Sequence, residues 1–101
     1  MPYRVSFTKR AARDLDNLYG YIHAEDSAGA ERWFRRLEEL IRSLTSAPRM
    51  GTVTPEDPSH RQLVYGNKPH LYRIIYIIDD ASELIAILQI RHGRRTRSPH
   101  A

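Results

Sequence analysis

The chain has 101 residues, of which 41% are hydrophobic and 28% are charged, as is typical of one globular domain and not of a disordered chain. Cysteine is absent, which excludes disulfides, cysteine zinc sites and thiol nucleophiles. The sequence has neither an apolar run long enough to span a bilayer nor a signal-peptide segment, so we expect a single cytoplasmic domain over residues 1–101.

Basic residues outnumber acidic residues by 16 to 12, which gives a net charge of +4. Residues 1–57 hold nine of each sign, whereas residues 58–101 hold seven basic and three acidic ones, so the whole excess lies in the second part. All the basic residues except Lys9 and Lys68 are arginines. Arginine binds carboxylates and phosphates through paired hydrogen bonds, although genome base composition explains such a ratio equally well. The asymmetry predicts an anionic partner, either nucleic acid or an acidic protein segment.

The first half of the chain is predicted to form a strand and two helices. Residues 3–7 alternate apolar and polar side chains, which predicts a half-buried strand. Thr8 can cap a helix over about residues 9–24, and Ser27 can cap a second helix that ends before Pro48. The apolar stripes comprise Ala11, Leu15, Leu18, Tyr19 and Ile22 in the first helix and Ala30, Trp33, Phe34, Leu37, Leu40, Ile41 and Leu44 in the second. The short break between them predicts an antiparallel helical hairpin.

The second half is predicted to form a sheet. Residues 47–60 contain prolines and a glycine without any period, which indicates a connecting loop. Three strands follow at residues 61–65, 70–79 and 84–92, and their short connections favour antiparallel pairing. The basic tail is expected to be flexible from about residue 96. We therefore predict an α+β fold of two layers in the order β-α-α-β-β-β, with an N-terminal helical hairpin packed on a mainly antiparallel sheet.

Two charged features stand out in the predicted strands. Arg73 has large apolar neighbours in the long strand, and a structural interpretation pairs it with Asp79 or Glu83 of the adjacent hairpin. Where the last strand ends, the sequence reads Arg91-His92-Gly93-Arg94-Arg95, which is compatible with an anion clamp or with a solvated tail. The core is expected to comprise Leu15, Leu18, Ile22, Trp33, Leu37, Leu40, Ile41, Leu44, Ile75, Ile77, Leu88 and Ile90.

Several motifs, taken in order, resemble the RelE/ParE superfamily of type II toxin–antitoxin toxins, which includes plasmid stabilisation proteins. The motifs are Tyr3-Arg4-Val5, Ala11-Ala12-Arg13-Asp14-Leu15 with Tyr21-Ile22, Pro48-Arg49-Met50-Gly51, Tyr72-Arg73-Ile74-Ile75-Tyr76 and His92-Gly93-Arg94-Arg95. The resemblance covers about residues 3–95, and the ordered set is more specific than any one motif. It implies the two-layer RelE/ParE-like fold and a toxin that a cognate antitoxin neutralises.

The superfamily has two activities. RelE-like members cleave mRNA on the ribosome without a metal and need arginines at the scissile phosphate with an acid or base close by. ParE-like members inhibit DNA gyrase by protein contact. By resemblance, Arg73 matches the strand arginine of the nucleases, and Arg94 or Arg95 matches the C-terminal one. However, the loop Thr52-Val53-Thr54-Pro55-Glu56-Asp57 has no lysine, and no tyrosine follows the last arginine. Both departures favour the ParE-like activity.

Three alternatives stay open, of which the first is a non-toxic or degenerate member of the superfamily. A RelE-like mRNA endonuclease would use Arg73, His92, Arg94 and Arg95, with Glu56, His60 or His92 as its acid or base. A stand-alone nucleic-acid-binding module would contact phosphates through Arg73, Arg91, Arg94, Arg95 and Arg97, with Tyr65, Tyr72 and Tyr76 as candidates for base stacking.

The resemblance also implies the partners. We expect a cognate antitoxin with an acidic, amphipathic segment that folds on binding, and DNA gyrase as the target, or the ribosome and mRNA if the activity is RelE-like. No cofactor, metal ion or membrane is expected. The surface residues predicted to contact the target or the antitoxin are Arg61, Arg73, Arg91, His92, Arg94 and Arg95.

Overall fold

The computed structural model describes residues 2–93, so Arg94, Arg95 and the predicted flexible tail lie outside the described residues. The elements are β1 (Arg4–Phe7), α1 (Lys9–Tyr21), α2 (Ala28–Arg42), a 3-10 turn (Ser43–Thr45), β2 (Thr52–Val53), β3 (Arg61–Tyr65), β4 (Tyr72–Asp79) and β5 (Leu84–His92). They confirm the predicted α+β fold with an N-terminal helical hairpin. The predicted loop at 47–60 was wrong in one respect, because it contains the short strand β2.

The strands form one sheet in the order β1-β5-β4-β3-β2. Strands β2 to β5 pair with their neighbours in antiparallel fashion, which confirms the mainly antiparallel sheet. The exception is β1, which pairs in parallel with β5, from the opposite end of the chain. The helical hairpin makes this possible, because it carries the chain away from β1 before the antiparallel strands begin.

Capping residues fix where the two helices begin and where the first one ends. The hydroxyls of Thr8 and Ser27 accept hydrogen bonds from the backbone N–H groups three residues on, at 3.1 and 3.2 Å. Helix α1 ends earlier than predicted, because His23 adopts a left-handed conformation with φ of 56°. The N–H groups of His23 and Ala24 then bond back to the carbonyls of Gly20 and Tyr19, the pattern of a Schellman C-cap.

One face of the sheet packs against both helices and forms the core. Its buried members from the helices and the following turn are Ala11, Leu18, Phe34, Leu37, Ile41 and Leu44, and those from the sheet are Leu63, Tyr72, Ile74, Tyr76, Ile85, Ile87 and Ile90. Burial of this continuous apolar surface is the main favourable term for the fold.

The predicted core was wrong for part of β4 and β5. Alternation along β4 directs Tyr72, Ile74 and Tyr76 toward the helices, whereas Ile75 is buried on the opposite face. The register shifts between Ile75 and Tyr76, whose partners are Gln89 and Ile87, so a β-bulge at residue 88 changes the alternation of β5. Ile77 shares the face of Ile75, and Leu88 is the extra residue of the bulge, so both are half-buried and lie outside the core cluster.

The second face of the sheet, which we call the open face, is not covered by the helices. Register places Gln62 and Val64 of β3, Arg73 and Ile75 of β4, and Gln89 and Arg91 of β5 on it. Val64 is 55% exposed there. Neither helix of the described chain has the length and apolar character needed to cross a lipid bilayer.

Candidate functional site: an arginine buried on the open face

Arg73 is the most deeply buried charged residue of the described chain, with 6% exposure. It lies in β4 directly opposite Val64 of β3 on one side and Arg91 of β5 on the other, so two arginines occupy matched positions on the open face. The helices do not cover this position. From the loop between β2 and β3, residues 54–60, the Glu56 side chain reaches over the sheet and contacts Arg73.

The guanidinium of Arg73 is held along two of its edges. Its Nε donates a hydrogen bond to the side-chain oxygen of Gln62 at 2.5 Å. Its Nη1 and Nη2 donate to the two carboxylate oxygens of Glu56 at 3.1 and 2.8 Å, the bidentate geometry that arginine and carboxylate favour. The Arg73 side chain is 7% exposed, but that of Glu56 is 50% exposed. The buried guanidinium of Arg73 is thus separated from solvent by the half-exposed carboxylate of Glu56.

The predicted ion-pair partners of Arg73 were wrong. Asp79 lies six residues farther along the same strand, which is about 20 Å away at the rise of an extended chain, and its carboxylate accepts hydrogen bonds from the N–H and hydroxyl of Ser82 in the β4–β5 turn. Glu83 belongs to that distant turn as well. The actual carboxylate comes from the acidic loop, which reaches Arg73 because β3 and β4 are neighbours.

The electrostatics of the site favour an ionised Glu56. The hydrogen bonds from Arg73 lower the pKa of Glu56 below its ordinary value of 4.5, and the nearby charges of Arg73 and Arg91 lower it further. A carboxylate with a lowered pKa is a weak base and is not protonated near neutral pH. Glu56 therefore serves as a counter-ion for the arginines and is poorly suited to proton transfer.

The loop that carries Glu56 has its own hydrogen bonds. The Thr54 hydroxyl, on a buried residue, donates to the Asp57 carbonyl at 2.9 Å and accepts from the Asp57 N–H at 3.1 Å. The Thr54 N–H donates to the His60 carbonyl at 2.9 Å. The Asp57 carboxylate accepts from the N–H and hydroxyl of Ser59, and these bonds lower the pKa of Asp57. None of these bonds involves Glu56.

The structure brings only some of the predicted surface residues together. Arg73 and Arg91 are neighbours on the open face. Arg61 lies opposite Tyr76, on the helix side, where its Nη1 donates to the Gly51 carbonyl at 2.6 Å. His92 lies opposite Tyr72, also on the helix side, with the two rings 5.1 Å apart.

The candidate acid–base groups and stacking tyrosines have other contacts. The Nε2 of His60 is 3.5 Å from the Asp57 carboxylate. Tyr76 is fully buried and Tyr72 is 7% exposed, and the Tyr65 hydroxyl donates to the Trp33 carbonyl at 2.7 Å. Tyr65 and Tyr72 both pack against the Trp33 ring. These tyrosines are therefore packing residues and are not free to stack on bases.

Sequence reasoning missed Glu56 and Gln62 as partners of Arg73. Gln62 could have been found, because its two-residue spacing from Val64 puts both on one face of β3. Glu56 was considered as part of an acidic loop and as a candidate acid or base, but not as the partner of Arg73. Its contact with Arg73 depends on the path of that loop, which carries no periodic signal.

The described residues form several surface grooves, of which one lies on the open face and a larger one lies beside the helical hairpin. The one beside Arg73 on the open face has a volume of about 350 Å³ and is lined by Val64, Lys68, Pro69, Leu71, Arg73 and Gly93. The other, of about 520 Å³, lies between the helical hairpin and the β3–β4 turn and is lined by Tyr21, Ile22, Gly29, Ala30, Trp33 and His70. Across residues 2–93, no cluster of His, Asp and Glu is arranged to hold a metal ion.

Comparison with known proteins agrees with the fold. Residues 5–97 match the family model described as the ParE toxin of type II toxin–antitoxin systems, parDE. A chain of the toxin–antitoxin complex RelBE2 from Mycobacterium tuberculosis is 27% identical, with a TM-score of 0.66, over 91% of this chain and 99% of that one. No protein with a curated description matches at a significant level.

Two further solved structures share the fold at lower identity. The chromosomal ParDE system of P. aeruginosa matches at 23% identity and a TM-score of 0.68, over 89% of this chain and 95% of that chain. The intact RelBE toxin–antitoxin complex of E. coli matches at 15% identity and a TM-score of 0.65, over 92% and 99%. Since the family model covers nearly the whole described sheet and both helices, the chain belongs to the ParE toxin family, within the RelE/ParE superfamily of type II toxin–antitoxin toxins.

Proposed function

We propose that this toxin inhibits DNA gyrase by binding it as a protein, that it acts in the cytoplasm, and that a cognate antitoxin neutralises it. The match to the ParE family supports the first statement. The second follows from the location of that target. Solved relatives that are toxin–antitoxin complexes support the third.

The engagement of Arg73 carries the choice of gyrase over mRNA. A nuclease of this superfamily needs arginine donors free for the scissile phosphate. Here Nε of Arg73 is used by Gln62, and both Nη atoms are used by Glu56. A phosphate could bind these donors only by displacing the Glu56 carboxylate, and the neighbouring phosphates of a nucleic acid strand would be repelled by the acidic loop.

The positions of the candidate acid–base groups agree with the same choice. His92 faces the helices, whereas Arg73 faces away from them. His60 is beside Asp57, and Glu56 is held ionised by Arg73. A general base must lie within hydrogen-bond reach of the hydroxyl that attacks the phosphate, and none of these three combines that position with a free proton-transfer atom.

A RelE-like endonuclease is the second candidate. The matched positions of Arg73 and Arg91 favour it, because two neighbouring guanidinium groups suit a phosphate. The 27% identity to a chain of the RelBE2 complex favours it too. A stand-alone nucleic-acid-binding module is less well supported, since the tyrosines that would stack on bases are used in packing.

One paired assay separates the candidates. Purified protein is added to a gyrase supercoiling reaction and, separately, to an in vitro translation reaction read by primer extension. Gyrase–DNA cleavage complexes with intact mRNA support the proposal. Codon-linked mRNA cuts with unaffected gyrase would overturn it in favour of the RelE-like activity. Salt-dependent binding to bare DNA or RNA with neither effect would support the stand-alone module instead.

Matched variants connect the assay to the site. Arg73→Gln removes the open-face cation, and Arg35→Gln makes the same charge change at an exposed α2 arginine that pairs with Glu31 and Glu38. We expect Arg35→Gln to retain full inhibition and Arg73→Gln to lose at least tenfold. If both variants are folded and inhibit gyrase equally, Arg73 and the open face do not contribute to gyrase binding.

A further inference from the structure

The Glu56–Arg73 ion pair joins two parts of the chain that are fixed by different contacts. Arg73 and Gln62 belong to adjacent strands and are held by the backbone pairing of β3 and β4. Glu56 belongs to the loop and has a side chain that is half exposed. The pair therefore has an immobile cationic side and a carboxylate side that borders on solvent.

Release of Glu56 would leave the rest of the loop intact. The hydrogen bonds among Thr54, Asp57, Ser59 and His60 close the loop without any contribution from the Glu56 side chain. A rotation of that one side chain into solvent uncovers the Nη1 and Nη2 donors of Arg73. The cost is one ion pair, while Gln62 continues to orient the guanidinium through Nε.

The groove beside Arg73 indicates what could replace Glu56. Its lining is largely apolar, from Val64, Pro69 and Leu71, and also includes the cationic residues Arg73 and Lys68. Val64 is an exposed aliphatic residue next to this buried cation. Such a surface fits a carboxylate with an apolar side chain close to it, because each part meets its complement.

A protein segment suits this surface better than a nucleic acid. Glu56 lies at Arg73 and Asp57 follows it in the loop, and both are held ionised, by Arg73 and by Ser59 respectively. A nucleic acid carries a negative charge on every nucleotide and would be repelled by these carboxylates where it approached Arg73. A peptide with one acidic residue among apolar ones meets them only at the position where Glu56 is displaced.

We infer that Glu56 occupies, in the free toxin, the place of a carboxylate from the antitoxin. In the complex, an acidic side chain of the antitoxin displaces Glu56 and forms the bidentate pair with Arg73, and the apolar residue beside it enters the groove of Val64, Pro69 and Leu71. The inference rests on the proposed toxin–antitoxin function and adds to it the position and chemistry of one contact. Glu56 competes for the same donors. It therefore raises the apparent dissociation constant of the partner, which equals the intrinsic constant divided by the fraction of time during which Arg73 is free.

The test uses the whole toxin and two synthetic peptides. The probe is Ac-Ala-Leu-Glu-Leu-Ala-amide, and its counterpart carries Gln in place of Glu. Binding is followed by NMR through the Arg73 Nε–Hε signal and the methyl signals of Val64 and Leu71. We expect the acidic peptide to shift these signals and the Gln peptide to leave them unchanged. Equal shifts with both peptides would overturn the inference.

Variants test the competition itself. Glu56→Gln removes the internal carboxylate at nearly constant shape, and we expect it to tighten binding of the acidic peptide about five- to tenfold, as for a site that is free 10–20% of the time. Glu31→Gln removes a carboxylate that pairs with Arg35 on α2 and should bind as the unaltered protein does. Arg73→Gln should abolish binding. Unchanged or weaker binding by a folded Glu56→Gln protein would overturn the inference.

Two further arms separate the other sources of failure. Inorganic phosphate and a short single-stranded RNA are titrated into the same samples, and tighter binding of either than of the peptide would overturn the inference and assign the site to nucleic acid. The NMR titrations contain neither gyrase nor ribosomes. If the acidic peptide displaces Glu56 but the protein does not inhibit gyrase, the proposed target alone is refuted. If the protein inhibits gyrase but the peptide does not displace Glu56, this inference alone is refuted.

Discussion

The hydroxyl of Tyr76, which is fully buried in the centre of β4, donates a hydrogen bond to the carbonyl oxygen of Pro48 at 2.8 Å. The same hydroxyl accepts a hydrogen bond from the N–H of Gly51 at 3.0 Å. The segment that leaves the helical hairpin is thereby fixed to the middle of the sheet. Two of the motifs noted in the sequence therefore contact each other, because the Tyr76 hydroxyl joins the strand motif at residues 72–76 to the motif at residues 48–51.

Removal of this hydroxyl should destabilise the fold. Tyr76→Phe leaves the buried Gly51 N–H and the partly buried Pro48 carbonyl oxygen without their partner, at a cost of about 1–3 kcal/mol in the free energy of unfolding. Urea unfolding followed by circular dichroism measures this. Tyr21→Phe is the control, because Tyr21 is 70% exposed, and it should change stability by less than about 0.5 kcal/mol. Equal stability of the two variants would contradict the structural role of the Tyr76 hydroxyl.

The close approach of Gly51 to the sheet gives a second prediction. A Cβ at this position would lie 2.5 Å from the Gln62 carbonyl oxygen and 2.7 Å from the Tyr76 hydroxyl. Gly51→Ala should therefore lower the unfolding free energy by about 1–3 kcal/mol, as overpacking does. Gly20→Ala is the opposite case, since nothing lies within 4 Å of a Cβ there and alanine favours helix by up to about 1 kcal/mol. Thermal unfolding should rank Gly20→Ala above the unaltered protein and Gly51→Ala below it.

The end of α1 offers a stabilising substitution. His23 has a φ of 56°, a region in which residues with a Cβ are strained and glycine is not. His23→Gly should raise the free energy of unfolding by about 0.5–1 kcal/mol, the size of the left-handed penalty reduced by the entropy of glycine. His23→Val should lower it, because β-branched residues tolerate this conformation least. A destabilised His23→Gly protein would show that the histidine side chain has a role that its exposure conceals.

The ion pair on the open face predicts a pH dependence. The pKa of Glu56 is lowered in the folded protein, so its contribution to stability is fully present above the unfolded-state value of 4.5 and is lost as the pH falls through the lower folded-state pKa. Glu56→Gln lacks this titration. The melting temperature of the unaltered protein should exceed that of Glu56→Gln at neutral pH, and the difference should shrink in acid.

A charge control accompanies that measurement. Glu25→Gln removes one negative charge at an exposed turn, away from the open face. Its difference from the unaltered protein should stay small at every pH. A Glu56→Gln difference that is constant with pH, or that grows in acid, would contradict the lowered pKa and with it the ionised Glu56–Arg73 pair.

The sequence was sufficient for most of the fold because its helical signals are strong and local. The hydroxyls of Thr8 and Ser27 cap helices where the pattern predicted them, and the apolar stripes face the core. The strand boundaries also agree to within a few residues. The one-residue shift at position 88 escaped prediction, since a β-bulge changes which face a side chain occupies without changing the composition of the strand.

Long-range relationships were harder to predict from the sequence. The Arg73–Glu56 contact spans 17 residues along the chain and depends on how the acidic loop folds back over β3. The predicted partners Asp79 and Glu83 were nearer in sequence but lay at the far end of the strand. The clustering of positive charge in the second half was visible in the composition. The composition did not show that Glu56, from the first half, partly neutralises this charge by pairing with Arg73. Net charge carries no information about which residues lie close together.

The parallel pairing of β1 with β5 has a consequence for how the toxin is made. Within residues 2–93, β1 pairs with β5 alone, with registers such as Val5 beside Ile85, so the sheet is incomplete until residues 84–92 have been synthesised. Until then, the apolar stripes of the hairpin lack the sheet that covers them, and contacts of such long sequence separation form late. The open face, which includes Gln89 and Arg91 of β5, can therefore be completed only after β5 has been synthesised.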